Sequence, residues 1–142
     1  MTARSIPLVQ PRAAVTEAMI TDLVHAFYER VLRDEVLGPI FRAKLSHRWH
    51  DHLATMVDFW SSVALTTGRY GGKPHVAHEN LGLEPAHFMR WLALFESTAA
   101  EVCGEAADFF TDRARRIADS LMIGLNIGPK ALTMPVAAGA QS

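Results

Sequence analysis

The chain has 142 residues and an almost balanced charge, which excludes several classes of protein. Fourteen lysines and arginines oppose 15 aspartates and glutamates, so no basic excess favours nucleic acid or an anionic membrane. Hydrophobic residues make up 49% and charged residues 20%, which is typical of one globular domain and not of a disordered chain. The single cysteine, Cys103, excludes an internal disulfide and any cysteine-based metal site.

Cysteine usage and the N-terminal sequence favour a soluble, cytoplasmic protein. One cysteine fits a reducing compartment. The short apolar stretch near the N-terminus is broken by Pro7 and Pro11, which makes it a poor secretory signal. Since no apolar run approaches the roughly 20 residues that cross a bilayer, we expect no membrane association.

The first half of the chain predicts two long helices separated by a corner. Apolar residues recur every three or four positions over residues 15–33, and Thr16 is a candidate N-cap. Gly38-Pro39 predicts a tight corner instead of a continued helix. We expect the second helix to begin after Ser46 as its N-cap and to run to Gly68.

The second half predicts two more long helices after a glycine-rich loop at residues 68–74. Pro85 suits the first turn of the third long helix, which Gly104 ends. The fourth helix is expected over about residues 106–126, before the stop at Gly128-Pro129. No segment alternates as a strand would, so the predicted fold class is all-α. Packing rules alone allow an up-down bundle or a globin-like crossing of helices.

Four polar-tipped side chains from separate segments suit a cofactor site. Tyr28, His52 and Trp91 fall on or beside core-facing stripes of three helices. Each one alone is most simply a core residue, although a buried hydroxyl or indole N–H needs an acceptor. His78 follows the glycine-rich loop, on a segment flanked by apolar residues. Together they suit a large flat apolar cofactor with one metal, and haem has these requirements.

The cluster of His47, His50 and His52 offers a weaker alternative, a mononuclear non-haem metal site. Its H-x-x-H-x-H spacing fits no zinc pattern, because residues two apart do not share a helix face.

Four short motifs follow one another between about residues 16 and 126, and their order is more specific than any one of them. In chain order they are Phe27-Tyr28-Glu29-Arg30-Val31 followed by Leu37-Gly38-Pro39-Ile40-Phe41, then Trp49-x-x-His52 with Phe59-Trp60, then Tyr70-x-Gly72-x-Pro74-x-x-x-His78, and finally His87-Phe88-x-x-Trp91-Leu92-x-Leu94-Phe95. In this order and spacing the chain resembles the truncated haemoglobins, group III in particular.

The resemblance implies a globin-like fold, a truncated two-over-two helical sandwich that binds haem b. It implies a truncated globin domain over residues 15–129, an irregular N-terminal extension over 1–14 and a flexible tail over 130–142. His78 would be the proximal iron ligand, and the distal ligand-binding residues would be Tyr28, His52 and Trp91. The implied haem-pocket residues are Phe27, Phe41, Met56, Phe59, Trp60 and Leu81. Weaker candidates for contacts with the haem propionates are Arg69 and Lys73.

The function implied by the resemblance is binding of a diatomic ligand, O₂, NO or CO, at a five-coordinate haem iron, or of a small anion on ferric iron. Such a protein acts as a carrier in oxygen transport, as a sensor or as a redox enzyme. Nitric oxide dioxygenase-like or peroxidase-like turnover would need a separate reductase, because the chain has no flavin or nicotinamide motif. The alternative is a haem-free helical sensor or protein-interaction domain, which would not need His78. The balanced charge favours a monomer.

Overall fold

The structure, a computed structural model, describes residues 15–127 and is built over that range from six α-helices. They are α1 (Glu17–Arg33), α2 (Leu37–Leu45), α3 (Trp49–Leu65), α4 (Pro74–Ala77), α5 (Pro85–Val102) and α6 (Ala107–Gly124). Single 3₁₀ turns, Ser46–Arg48 and Gly104–Ala106, precede α3 and α6. No strand occurs in this range, so the all-α prediction is confirmed. The predicted extension and tail lie outside the described residues.

Four long helices pack as two pairs, which confirms the predicted two-over-two arrangement. Helix α1 packs against α3, α5 packs against α6, and α1 also crosses α5. The buried side of α1 repeats at helical spacing, as predicted, with Ile20, Leu23, Val24, Phe27, Tyr28 and Val31. Thr16 is the N-cap of this helix, since its hydroxyl accepts a hydrogen bond from the Met19 amide.

The corner predicted at Gly38-Pro39 is instead the first turn of α2, and the prediction was wrong in this respect. Pro39 is tolerated because the first N–H groups of a helix have no partner within it. Asp34 satisfies the two backbone amides just before Gly38, because its Oδ2 accepts from the N–H groups of Val36 and Leu37 at 3.0 and 2.9 Å. Gly38 lies so close to α1 that a Cβ would come within 2.6 Å of the Leu32 carbonyl oxygen.

The ends of α3 also differ from those predicted. Ser46 lies in the 3₁₀ turn before α3 and makes no side-chain capping bond, so it is not the N-cap of this helix. Helix α3 ends at Leu65, before the predicted Gly68, because Thr66 adopts the left-handed conformation with φ of 55°. Pro85 begins α5 as predicted.

Over residues 15–127, none of the helices combines the length and apolar character needed to span a membrane.

Replacing Asp34 with alanine should destabilise the fold. Besides capping α2, Asp34 pairs with Arg90 of α5, with Nε 2.7 Å from Oδ2. Loss of such a cap costs about 1–2 kcal/mol, which urea unfolding measures at neutral pH. The control is Glu29→Ala, which removes an exposed i,i+4 pair with Arg33 and should change the free energy of unfolding much less.

The difference in the free energy of unfolding between wild type and Asp34→Ala should depend on pH. The Arg90 guanidinium holds the pKa of the Asp34 carboxyl below its ordinary value. The contribution of Asp34 is therefore present above the unfolded-state pKa and is lost as the pH falls through the lower folded-state pKa. The difference between wild type and Asp34→Ala should shrink on acidification, and a difference that grows would contradict this role.

Candidate functional site

A cavity of about 350 Å³ opens between the two helix pairs and is bordered by α1, α2, α3, α5 and α6 together with the segment around α4. Its volume falls within the roughly 300–1,000 Å³ typical of small-molecule and cofactor sites. The walls are mainly aromatic and aliphatic, and they include all four polar-tipped residues predicted from the sequence, Tyr28, His52, His78 and Trp91. The structure therefore brings together residues from α1, α3, α5 and the end of α4.

Tyr28 and Trp91 lie side by side at one wall of this cavity. Tyr28 is only 3% exposed, and its hydroxyl lies next to the Trp91 side chain. An indole N–H can only donate and a phenol O–H can donate or accept, so both side chains can donate to a third group. Burial raises the pKa of Tyr28, so the hydroxyl keeps its proton at neutral pH. The pair offers a donor to anything small that lies against this wall.

His52 lies beside this pair, and its imidazole lacks a partner at one nitrogen. Its ring stands edge-on to Tyr28, with centroids 4.9 Å apart and planes at 87°. Nε2 of His52 is buried and has no hydrogen-bond partner among the described residues. Burial lowers the pKa of His52 to about 4, and the charges of Arg48 and His78 act in the same direction. His52 is therefore neutral at physiological pH, and it borders the cavity while its Nε2 stays buried without a partner.

His78 is oriented by the backbone of the short helix that precedes it. Its Nδ1 lies 2.6 Å from the carbonyl oxygen of Pro74. A carbonyl only accepts, so Nδ1 carries the proton and Nε2, on the opposite side of the ring, keeps its lone pair. Neutral imidazole with one nitrogen held in this way is the usual form of a histidine metal ligand. The ring packs against Phe88 of α5, at 6.4 Å between centroids.

Most of the predicted apolar pocket residues do line the cavity. Those that border it are Phe41, Met56, Phe59, Trp60 and Leu81. Phe27 does not belong to the lining. It is 1% exposed and lies behind the wall, where its ring packs against both Tyr28 and Trp91.

The two predicted propionate residues, Arg69 and Lys73, are not among the cavity-lining residues. The Arg69 guanidinium pairs with Glu17 through both terminal nitrogens, each at 3.0 Å, and its Nε pairs with Asp58 at 3.0 Å. This ion-pair cluster fastens the loop before α4 to α1 and α3. Lys73 is exposed at the start of α4.

Several lining residues were missed by the sequence analysis. Lys44 and Arg48 border the cavity from α2 and the following turn, and neither belongs to an ion pair within residues 15–127. Tyr70 borders it from the glycine-rich loop. Phe88 of α5 and Ile117 of α6 also border the cavity. Apolar periodicity places such residues towards the core, but it does not distinguish a cavity wall from a filled core.

No three histidine, cysteine, aspartate or glutamate side chains in the described part of the chain come together as a metal-binding group. His47, His50 and His52 therefore do not converge on a common point, and the alternative of a non-haem site built from them is wrong.

The orphaned nitrogen of His52 should make the fold sensitive to mild acid. Between the unfolded-state value of 6.5 and the folded-state pKa of about 4, the unfolded chain binds a proton at His52 that the folded chain does not. Stability therefore falls as the pH is lowered through this window. His52→Leu removes the effect, so urea unfolding should show its advantage over wild type growing from pH 7 to pH 5.

The matched control is His50→Leu, which changes an exposed histidine on the same helix and should have little effect on stability at either pH. An advantage of His52→Leu that is the same at both pH values would contradict a neutral, buried His52.

Comparison with known proteins finds a relative in sequence and a solved structure with a similar fold. A group 3 truncated haemoglobin of Campylobacter jejuni is 34% identical to the chain over 109 residues, which cover 73% of this chain and 86% of the relative. The crystal structure of a group III truncated haemoglobin from Campylobacter jejuni matches the fold with a TM-score of 0.71 at 33% identity, covering 78% of this chain and 91% of the other. No family model matches the chain. The identity, the coverage and the shared fold together establish that the chain belongs to the group III truncated haemoglobins.

Proposed function

We propose that the cavity binds haem b, whose iron His78 would hold, and that Tyr28, Trp91 and His52 would be the residues that contact a small ligand. The observation that carries this proposal is the His78 imidazole, which faces an aromatic cavity with Nδ1 already bonded to the Pro74 carbonyl. That bond leaves Nε2 as a lone-pair donor, and a proximal histidine is the haem ligand of globins and peroxidases. When bound, haem supplies an iron with one further position for a small ligand.

The remaining lining fits the parts of this cofactor. Aromatic and aliphatic side chains suit the flat macrocycle, which needs apolar walls on both faces. Lys44 and Arg48 suit the two propionates better than Arg69 and Lys73, because they border the cavity and have no acidic partner in the described structure. The unpaired Nε2 of His52 fits a cavity that is filled in the working protein, since a buried polar atom without a partner is otherwise costly.

The distal residues are suited to holding a small ligand that carries partial negative charge. Tyr28 keeps its O–H as a donor because burial raises its pKa, and the Trp91 indole N–H beside it can also donate. In a site shielded from water such a donor is worth about 1 kcal/mol or more. We therefore propose a protein that binds O₂, NO or CO, and that performs redox chemistry with these ligands or with peroxide when a separate reductase supplies electrons.

Replacing His78 with glycine should abolish haem ligation. The purified wild-type protein, expressed with ample haem, should show an intense Soret band, and His78→Gly should lose or shift it. Added imidazole should restore the band, because it replaces the missing ligand in the space left by the side chain.

The control is His75→Gly, which removes an exposed histidine from the same short helix and should leave the Soret band unchanged. A colourless wild-type protein would reject haem binding and favour the haem-free sensor or interaction domain.

Replacing the distal donors should speed the release of O₂. Loss of a donor worth about 1 kcal/mol corresponds to a roughly fivefold higher dissociation rate in Tyr28→Phe and in Trp91→Phe, measured by stopped flow. Because the Trp91 side chain lies next to the Tyr28 hydroxyl, the two effects should not add in the double variant.

Trp49→Phe is the matched control, since this indole contacts Tyr28 and His52 but does not border the cavity. Changes below about twofold in both distal variants, equivalent to roughly 0.4 kcal/mol, would show that neither donor touches the ligand.

A further inference from the structure

Five aromatic rings form an unbroken column along one wall of the cavity to the loop before α4, and four of them, Trp91, Trp60, Phe59 and Tyr70, border the cavity. Trp91 stacks on Phe95 with centroids 5.4 Å apart and planes at 11°, and Phe95 stacks on Trp60 at 5.1 Å and 18°. Trp60 meets Phe59 edge to face at 5.5 Å, and Phe59 meets Tyr70 edge to face at 5.1 Å. All four distances lie within the range of about 4.5–7 Å for aromatic rings in contact.

Oxidisable rings alternate with inert ones along this column. Indoles and phenols lose an electron far more readily than a benzene ring, so Trp91, Trp60 and Tyr70 are its three redox-active members. Each neighbouring pair is separated by one phenylalanine that contacts both. Short steps of this kind allow an electron to move between buried side chains without a mobile carrier.

The two ends of the column have different surroundings. Trp91 borders the cavity beside Tyr28, where the iron's small ligand is expected to lie. Tyr70 is half-buried in the loop, and its ring lies over Gly72, where a Cβ would come within 2.5 Å of the hydroxyl oxygen. The chain has two tyrosines, and Tyr28 is 3% exposed. Tyr70 borders the cavity at the loop and is partly exposed, so of the two tyrosines it is the one that a molecule outside the cavity can reach.

We propose that Tyr70 is a surface oxidation site for phenols, connected through Trp60 and Trp91 to the part of the cavity beside Tyr28. The proposal rests on the haem binding proposed above and extends it by naming the oxidant, hydrogen peroxide, and the class of reductant. Phenols too large for the cavity would react at the loop without entering it.

The overall reaction balances with two phenols per peroxide. The O–O bond of the peroxide breaks, and the two oxygens accept two electrons and two protons to become two water molecules. In each of two one-electron steps, an electron leaves Tyr70 through Trp60 and Trp91 for the part of the cavity beside Tyr28, and the hydroxyl proton leaves for solvent. Tyr70 is restored each time by taking a hydrogen atom from a phenol, which becomes a phenoxyl radical.

Without a phenol, oxidised Tyr70 side chains on two protein molecules should couple, which provides the test. The haem-loaded wild type treated with hydrogen peroxide should give dityrosine fluorescence and a covalent dimer on denaturing gels. In Tyr70→Phe both signals should fall to the level of untreated protein. In Trp60→Phe, which keeps an aromatic ring in the stack but removes the redox-active one, the yield should fall several-fold.

Two further variants complete the design. Phe59→Leu removes the ring that contacts both Trp60 and Tyr70, and it should lower the dityrosine yield as Trp60→Phe does. This variant still tests the relay if Trp60→Phe fails to fold. Trp49→Phe is the control, since Trp49 contacts Tyr28 and His52 but lies off the column. Its dityrosine yield should match wild type. With a small phenol in excess, the rate of phenol oxidation should follow the same order among the variants.

The outcomes separate this proposal from haem binding. The Soret band of each variant reports haem binding independently, so a wild type without the band fails the proposed function. A wild type that has the band and consumes peroxide without forming dityrosine overturns the surface site alone. Unchanged dityrosine in both Trp60→Phe and Phe59→Leu would overturn the relay, because Tyr70 would then be oxidised directly from the cavity wall.

Discussion

The packing of Phe27 is the contact on which the site depends. This ring is almost fully buried in α1 and makes edge-on contacts with Tyr28, Trp91 and Phe95, at centroid distances of 4.8, 5.4 and 5.1 Å. It thereby fixes where α1 crosses α5, and that crossing places the Tyr28 hydroxyl next to the Trp91 indole. Although the resemblance assigned Phe27 to the pocket wall, it supports the wall from behind. A packing residue of this kind sets the donor geometry without touching a ligand.

A cavity between well-packed helices lowers the stability of the fold, and this cavity is bordered by polar groups as well as apolar ones. Protein interiors are normally filled, and buried polar atoms are normally paired. Here α1 and α5 pack tightly through aromatic contacts, whereas the space between α3 and the segment around α4 stays open. His52 borders this space and keeps a buried Nε2 without a partner, and burial lowers its pKa. Departures from good packing that coincide with polar groups are characteristic of functional sites.

The sequence predicted those features that depend on local periodicity, and the structure had to supply those that depend on contacts between distant segments. The stripes of α1, α3 and α5 follow a 3.6-residue repeat, so Tyr28, His52 and Trp91 were correctly placed towards the core. Arg69 was a candidate for propionate contacts, but its guanidinium pairs with Glu17, which lies 52 residues away in the sequence. The capping of α2 by Asp34 was also not predicted, because the dipeptide Gly38-Pro39 by itself is typical of a turn. The acceptor of the His78 proton, Pro74, lies four residues away, but only the helical backbone brings its carbonyl to the ring.

The loop between α3 and α4 is held by contacts with α1 and α3, and it leads to the short helix that positions His78. Arg69 fastens it to Glu17 at the start of α1 and to Asp58 of α3, while the Tyr70 amide donates to the Ser62 hydroxyl at 3.0 Å. The same loop leads into Pro74, whose carbonyl fixes the tautomer of His78. The orientation of the proposed axial ligand therefore depends on ion pairs made by a residue that does not border the cavity. Because these pairs are partly exposed to solvent and screened by salt, each is weak alone, and their value lies in holding one loop from two helices at once.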